Sequence, residues 1–283
     1  MQKVKDIRIY LKRSLVGQYP DAELRGFNNW ILEHLFDYSS TDALLNADHP
    51  LSAKNRLELE VIISQLKLEK PIQQILGYSW FYGHKFLMNE FVLIPRPETE
   101  ELVDWILKDA PDNKSILDVG TGSGCIPITL SLNSKASISS LDISLKALIQ
   151  ARVNAKELKA SVHFIQADVL AEECIGELDF YDIIVSNPPY VLESDKKMMS
   201  NNVLENEPHI ALFVPNDDAL RFYKAIADIA TKKLNKNGFL YFEIHENYGP
   251  ATLNMLKTKG FTDLELRKDL QGKDRMVKAV WKS

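Results

Sequence analysis

Asn187, Pro188, Pro189 and Tyr190, in the stretch "IVSNPPYVLES", place an amide, a rigid bend and an aromatic ring directly after the β-branched residues 183–185. Neither proline has an N–H to donate to a sheet ladder, so the strand that 183–185 predicts ends here. The residue before a proline is held extended and Pro188 has a fixed φ, which presents Asn187 on a stiff turn. Two acceptors converge there, the side-chain oxygen of Asn187 and the backbone carbonyl of Pro188. An –NH₂ group that gives both protons to them turns its nitrogen lone pair toward a third partner. Tyr190 supplies a ring that can stack on a planar group. These residues suit transfer to a planar nitrogen, a poor nucleophile that orientation and electron donation must help. No strong base is needed, because the proton can leave after the nitrogen becomes cationic. A plain strand-ending turn is the competing reading, and the rest of the chain decides between them.

A second constellation, "LDVGTGSGCIP", sets Gly120, Gly122 and Gly124 directly after a short apolar strand. Glycines there let the backbone turn sharply and lie close to a ligand. The G-x-G-x-x-G fingerprint fails in both registers, since its last position is Cys125 counted from Gly120 and Pro127 counted from Gly122. No Gly-Lys-Ser/Thr follows, which removes the P-loop. Asp142 ends the next predicted strand, about 20 residues on, where an acid suits a pair of ribose hydroxyls. A glycine loop without a phosphate site, followed by a ribose acid, fits S-adenosylmethionine. Asp118 is expected near the sulfonium or the methionine amino group, and Asp168, ending the third strand, on the adenine side. Each acid taken singly also has a reading as a loop or cap residue, and for Asp168 the two readings are about equal. Cys125 is expected to pack as a small apolar residue.

The elements that must position these residues follow from periodicity. Residues 1–72 are helical: Ile7, Leu11 and Leu15 recur at four-residue spacing, as do Phe27, Ile31 and Leu35. Ser52 is a candidate N-cap for a third helix that ends before Pro71. From 73 to 96, Gly77 and Gly83 punctuate β-prone aromatic residues, a hairpin-like linker. Pro97 suits the first position of the next helix, with Glu98, Glu100 and Glu101 near its positive end. Beyond residue 114 strands and helices alternate up to a final pair, "FTDLELRKD" and "RMVKAVW", expected antiparallel at the sheet edge. Residues 97–283 therefore form the catalytic domain, and the fold class is α/β: a Rossmann-like class I methyltransferase sheet with a small all-α N-terminal domain.

Composition narrows the classes. A chain of 283 residues, 45% apolar and 26% charged, can bury an ordinary core. Two cysteines, Cys125 and Cys174, allow no disulfide framework or Cys-type zinc site, and no H-x₃-H or H-E-x-x-H spacing occurs; no metal is expected. No apolar run approaches a membrane span and the charged N-terminus lacks a signal-like core, so a cytoplasmic protein is expected. A net charge of −5 argues against general affinity for nucleic acid. Lys5, Arg8 and Lys12, on one helical face, read as a solvated face.

In order along nearly the whole chain, "PIQQILGYSWFYG", "FVLIPRPETEELV", "LDVGTGSGCIPI", Asp142, "SNPPY", "ENEPHIAL" and "NGFLYFEIHENYG" resemble the bacterial peptide chain release factor glutamine methyltransferases of the HemK/PrmC type. "LIPRPETEEL" is the discriminating segment, because Asn-Pro-Pro-Tyr is shared with methyltransferases acting on DNA adenine and RNA guanine. The resemblance implies methylation of the side-chain amide of the glutamine in the Gly-Gly-Gln loop of class I peptide chain release factors, with S-adenosylhomocysteine as product. It implies a cofactor site at Gly120, Thr121, Gly122, Ser123, Gly124 and Asp142. Asn187 borders the methyl group, and Asn187, Pro188, Pro189 and Tyr190 cradle the glutamine. Arg96 and Glu98 wall the site, and the helical domain helps to hold the release factor; a monomer is expected. Asn206 stands where relatives often carry an aromatic, and "EIHENYG" lacks a Glu-His-Gly run, so His209 and His245 are left as structural.

Three rivals remain in view. Glutamine methylation of a ribosomal protein uses a similar helical domain and the same turn, but fits "RPETEEL" less well. Methylation of an adenine or guanine base needs a target-recognition insertion, for which the aromatic-rich loop 190–215 is short. A translation-factor binding module without activity conflicts with the intact glycine loop, Asp142 and Asn187–Tyr190.

Overall fold

The computed structural model describes residues 2–109, 113–171, 173, 176 and 178–282; Cys174 lies outside the described residues. The chain divides into two compact units, one of residues 1–77 with 200–206 and one of residues 78–199 with 207–283.

The first unit is helical: α1 Val4–Ser14, α2 Asp21–Phe36, α3 Ser40–Leu45, α4 Ala53–Lys67 and α5 Ile72–Leu76. The four-residue apolar spacing has the consequence it predicts, since Ile7, Leu11, Leu15, Phe27 and Ile31 bury together with Ile62, Ile63 and Leu66 of α4. Ser52 caps α4, its hydroxyl accepting from the Asn55 N–H at 3.0 Å. The unit extends through α5 to Gly77, whose φ of +78° ends the helix in the left-handed region. Residues 73–77, read from sequence as the start of a linker, are thus part of the helical unit. Ile72, buried in its core, draws the short helix in.

The second unit opens with a hairpin, β1 Tyr78–Phe81 and β2 His84–Leu87, followed by α6 Pro97–Asp109. Then come β3 Ser115–Val119, α7 Cys125–Asn133, β4 Ser137–Asp142, α8 Leu145–Leu158, β5 His163–Gln166 and β6 Tyr181–Ser186. The loop 190–215 contains a short parallel pair, β7 Val191–Leu192 and β8 Phe213–Val214, and the helix α9 Asn201–Asn206, which belongs to the first unit. The unit ends with α10 Arg221–Lys233, β9 Leu234–Glu243, α11 Gly249–Thr258, β10 Thr262–Lys268 and β11 Asp274–Trp281.

Seven strands form one sheet in the order β10-β11-β9-β6-β3-β4-β5. All neighbours are parallel except β11, which runs antiparallel to both β10 and β9. Both faces are covered, which explains strands that read as continuous apolar runs. Ile116, Ile183 and Tyr241 pack with α6, α7 and α8 on one side; Leu117, Ile184 and Phe242, one residue on, pack with α10 and α11 on the other. Gly238 sits inside β9 at a register shift opposite Tyr181 and Ile183. A Cβ there would lie 2.8 Å from the Asn235 carbonyl oxygen, so the irregularity requires glycine. The chain winds from β3 outward through β4 to β5, then returns to β6 on the other side of β3. In such sheets the crevice at the carboxyl ends beside that reversal is where ligands bind.

Candidate active site

A cavity of about 310 Å³ occupies that crevice. The strand ends supply its polar wall: Gly120 and Gly122 after β3, Asp142 at the end of β4, Asp168 after β5, and Ser186 and Asn187 where β6 stops. The strand ends are cross-tied. Ser186 donates its hydroxyl to the Val119 carbonyl at 2.7 Å, and the Gly120 N–H donates to the Leu141 carbonyl at 2.8 Å.

The glycine loop shows why its residues are small. Gly122 has φ +52° and donates its N–H to Asp142 Oδ2 at 2.9 Å, so loop and acid hold one another. At Gly124 a Cβ would lie 2.8 Å from Ile128 Cδ1 and 3.1 Å from Ala151 Cβ, which is why α7 and α8 can pack under the loop. A Cβ at Gly120 or Gly122 would meet no atom within 4 Å, leaving a bare backbone cradle facing the cavity. Thr121, Ser123 and Gly124 do not line the cavity; Thr121 and Ser123 are buried beneath it, and Asn154 Nδ2 donates to the Ser123 carbonyl at 2.9 Å.

Asp142 also accepts from the Ser144 N–H through Oδ1 at 2.8 Å, and burial raises its carboxyl above the ordinary value against those hydrogen bonds. Asp168 lines the cavity and accepts from the Leu170 N–H at 2.9 Å, so its side chain shapes the turn as well. The walls between these acids are apolar, with Ile143, Val169 and Leu170 among them. Cradle, acid and apolar slot together fit a nucleoside without a phosphate, as S-adenosylmethionine requires.

Asp118 departs from its expected place. It is 0% exposed, lies outside the cavity lining and accepts from the Ser140 hydroxyl at 2.7 Å across the β3–β4 pair. Burial pushes its carboxyl up to about 7. It is the penultimate residue of β3, and its carboxyl meets Ser140 of the neighbouring strand. Cys125 is buried, and its thiol is pushed up to about 12 by that burial, which suits packing and not nucleophilic attack.

Asn187, Pro188 and Pro189 all line the cavity. Tyr190 does not; its ring meets His245 edge-on at 5.9 Å, and its hydroxyl donates to Glu243 Oε1 at 3.1 Å. Arg96 and Glu98 do not wall the cavity either. Arg96 pairs with Glu207 at 2.6 Å, and Glu98 accepts from Gln271 at 3.4 Å. Glu207 also accepts from the Ile94 N–H, which joins the "LIPRP" segment to the one carrying Ile210 and Ala211 of the cavity wall.

Two residues that sequence reasoning missed complete the site. Thr99 and Glu243 are both buried, and the Thr99 hydroxyl donates to Glu243 Oε2 at 2.6 Å. Asn187 Nδ2 in turn donates to Thr99 Oγ1 at 3.2 Å. The available signal was a carboxylate closing the apolar run "FLYFE" at a strand's carboxyl end. Among the described residues, no group of three His, Cys, Asp or Glu side chains could hold a metal, and no helix is long and apolar enough to cross a membrane.

The family described as "Methyltransferase small domain" matches residues 98–213, and "PrmC N-terminal domain" matches residues 10–77. A protein named release factor glutamine methyltransferase in Flavobacterium psychrophilum is 43% identical over 97% of this chain and 98% of its own length. One of the same name in Bacteroides thetaiotaomicron is 44% identical over 96% of this chain and 98% of its own. Among solved structures, a methyltransferase from Pyrococcus furiosus superposes with a TM-score of 0.55 at 13% identity, over 78% of this chain and 98% of that one. A Thermus thermophilus 16S rRNA N2 G1207 methyltransferase, solved with AdoMet and guanosine, gives 0.51 at 16% identity, over 73% of this chain and 50% of that one. At those identities the two structures speak for the fold.

Proposed function

The chain belongs to the release factor glutamine methyltransferase family, and on that premise we propose that it methylates the side-chain amide nitrogen of the glutamine in the Gly-Gly-Gln motif of class I peptide chain release factors. The observation that carries the reading is the seating of Asn187, Pro188 and Pro189 on the wall of the same cavity as Gly120, Gly122 and Asp142. On this reading an amide acceptor site and a nucleoside cradle share one cavity.

On this reading Asp142 accepts from the ribose hydroxyls, Gly120 and Gly122 lie against the cofactor and Asp168 meets the adenine side; all four line the cavity. Thr121, Ser123 and Gly124 hold that loop in shape from beneath. Bound there, S-adenosylmethionine would supply an electrophilic methyl group, its sulfur keeping the electron pair of the bond given up. Asn187 Oδ1 and the Pro188 carbonyl accept the two protons of the glutamine –NH₂. That holds the amide plane in place and raises electron density on its nitrogen. The nitrogen then releases one proton to water. Pro189 and Tyr190 keep the turn rigid, and Arg96, through Glu207, positions the segment that closes the cavity. The helical unit is assigned to holding the release factor, whose loop alone offers too small a surface for selective binding. The same reading makes the protein a cytoplasmic monomer, working where translation factors are found.

The test is direct. Purified protein, S-adenosylmethionine and a cognate release factor are incubated, and the tryptic fragments are weighed. One added methyl on the Gly-Gly-Gln glutamine is expected. An unmodified release factor beside a methylated ribosomal protein or RNA overturns the reading.

A further inference from the structure

An asparagine amide has two limbs of similar shape and opposite hydrogen-bonding sense, and only the oxygen limb can accept a proton from a substrate –NH₂. Something must decide which limb Asn187 presents. We infer that the buried pair Thr99–Glu243 makes that decision, so that Thr99 and Glu243 are positioning residues for Asn187.

The argument runs along the direction of the hydrogen bonds. An ionised Glu243 carboxylate can only accept. It accepts from Thr99 Oγ1 at 2.6 Å through Oε2 and from the Tyr190 hydroxyl at 3.1 Å through Oε1. The single proton of Thr99 is thereby committed, and its oxygen can act toward Asn187 only as an acceptor. That matches the 3.2 Å contact in which Asn187 Nδ2 donates to Thr99 Oγ1. With the nitrogen limb turned to Thr99, the oxygen limb is the one left for the cavity that Asn187 lines. The chain of contacts joins positions 99, 187 and 243, which come together from α6, the turn after β6 and the end of β9.

Two hydrogen-bond donors, Thr99 and Tyr190, face the Glu243 carboxylate. Burial raises Glu243, while its hydrogen bonds from Thr99 and Tyr190 and the charge of Arg275 oppose that rise. Burial and the neighbouring carboxylate drive the Tyr190 phenol far above its ordinary value, so it keeps its proton and remains a donor. Glu243 therefore orders two members of the Asn187–Tyr190 turn at once, one directly and one through Thr99. A Gln at 243 carries a donor limb as well as an acceptor and removes the constraint.

The inference rests on the proposed role of Asn187 as acceptor of the substrate's amide protons, and its test is built to fail separately. Protein labelled with ¹⁵N at asparagine is prepared as wild type, Thr99→Val, Thr99→Ser and Glu243→Gln. The Asn187 side-chain signal is assigned by its loss in Asn187→Asp. Wild type and Thr99→Ser should show one Nδ2 proton protected from solvent exchange. Thr99→Val, which keeps the shape and deletes the hydroxyl, should lose that protection, as should Glu243→Gln. On the release factor, kcat should fall about tenfold or more in Thr99→Val and recover to within a few-fold in Thr99→Ser, while cofactor Kd stays near wild type. Equal protection in Thr99→Val and wild type overturns the inference, and so does an exposed Nδ2 in wild type itself, a readout that does not depend on the Thr99 or Glu243 variants folding. A wild-type protein with the protected proton but no activity on release factors overturns the functional reading and leaves the positioning role standing.

Discussion

Arg96 and Glu207 meet at 2.6 Å with the glutamate side chain 1% exposed and the arginine side chain 35% exposed. The pair is lopsided, and so are its consequences. Glu207 has been taken out of water and depends on Arg96 and the Ile94 N–H for compensation. Arg96 still has solvent. Removing the arginine strands a buried charge, whereas replacing the carboxylate by an amide leaves an acceptor in place.

Arg96→Ala is therefore predicted to destabilise the fold by about 2 kcal/mol, and Glu207→Gln by less than half as much. Urea unfolding of the three proteins decides this. Equal losses in both variants refute the asymmetry.

Asn187→Ala should leave S-adenosylmethionine binding within a few-fold of wild type and lower kcat by roughly 10²-fold or more, the scale of a lost preorganised polar contact. Calorimetry gives the first quantity and initial rates on the release factor the second. Turnover near wild type removes Asn187 from the reacting geometry.

Asp142→Asn keeps the size of the side chain and loses a charge that accepts from Gly122 and Ser144. Cofactor Kd should rise by about 10- to 100-fold, the range for a hydrogen bond to a charged group. Unchanged affinity in a folded variant places the ribose elsewhere.

Asp118 predicts a pH dependence. Folding moves its carboxyl from 3.8 to about 7, so between those values the folded chain holds a proton that the unfolded chain has released. Its stabilising contribution is complete below the unfolded value and is lost as pH rises through about 7. Asp118→Asn has no such titration. The variant's stability relative to wild type should increase from about pH 5 to about pH 8, with groups common to both proteins cancelling. Urea unfolding at the two pH values measures it. A flat difference shows that the carboxyl titrates as an ordinary one.

How much of this was legible beforehand depends on the range of the interaction. Ile7, Leu11 and Leu15 announce a buried helical face because a helix repeats locally. Gly122 and Asp142 could be paired because a strand–loop–helix–strand unit fixes about how far apart such partners fall. The family resemblance puts Arg96 and Glu98 on the wall of the site. Helix α6 instead turns Thr99 inward to Glu243 and leaves Glu98 against Gln271, a choice decided by the step of about 100° between neighbouring helical residues. Asp118 was placed at the ligand by proximity to the glycines, but alternation along β3 sends it against Ser140.

The cofactor class and the order of elements are legible in short-range patterns, glycine spacing and apolar periodicity, and the proline turn points to a planar nitrogen. Only the tertiary structure decided which polar side chains meet. Thr99, Asn187 and Glu243 lie on three separate elements, and their types alone leave open whether each faces water, the core or another. Strand order in the sheet and the rotation of α6 bring them within hydrogen-bond distance. Burial then makes those bonds matter, because a buried polar group with no partner is far costlier than an exposed one.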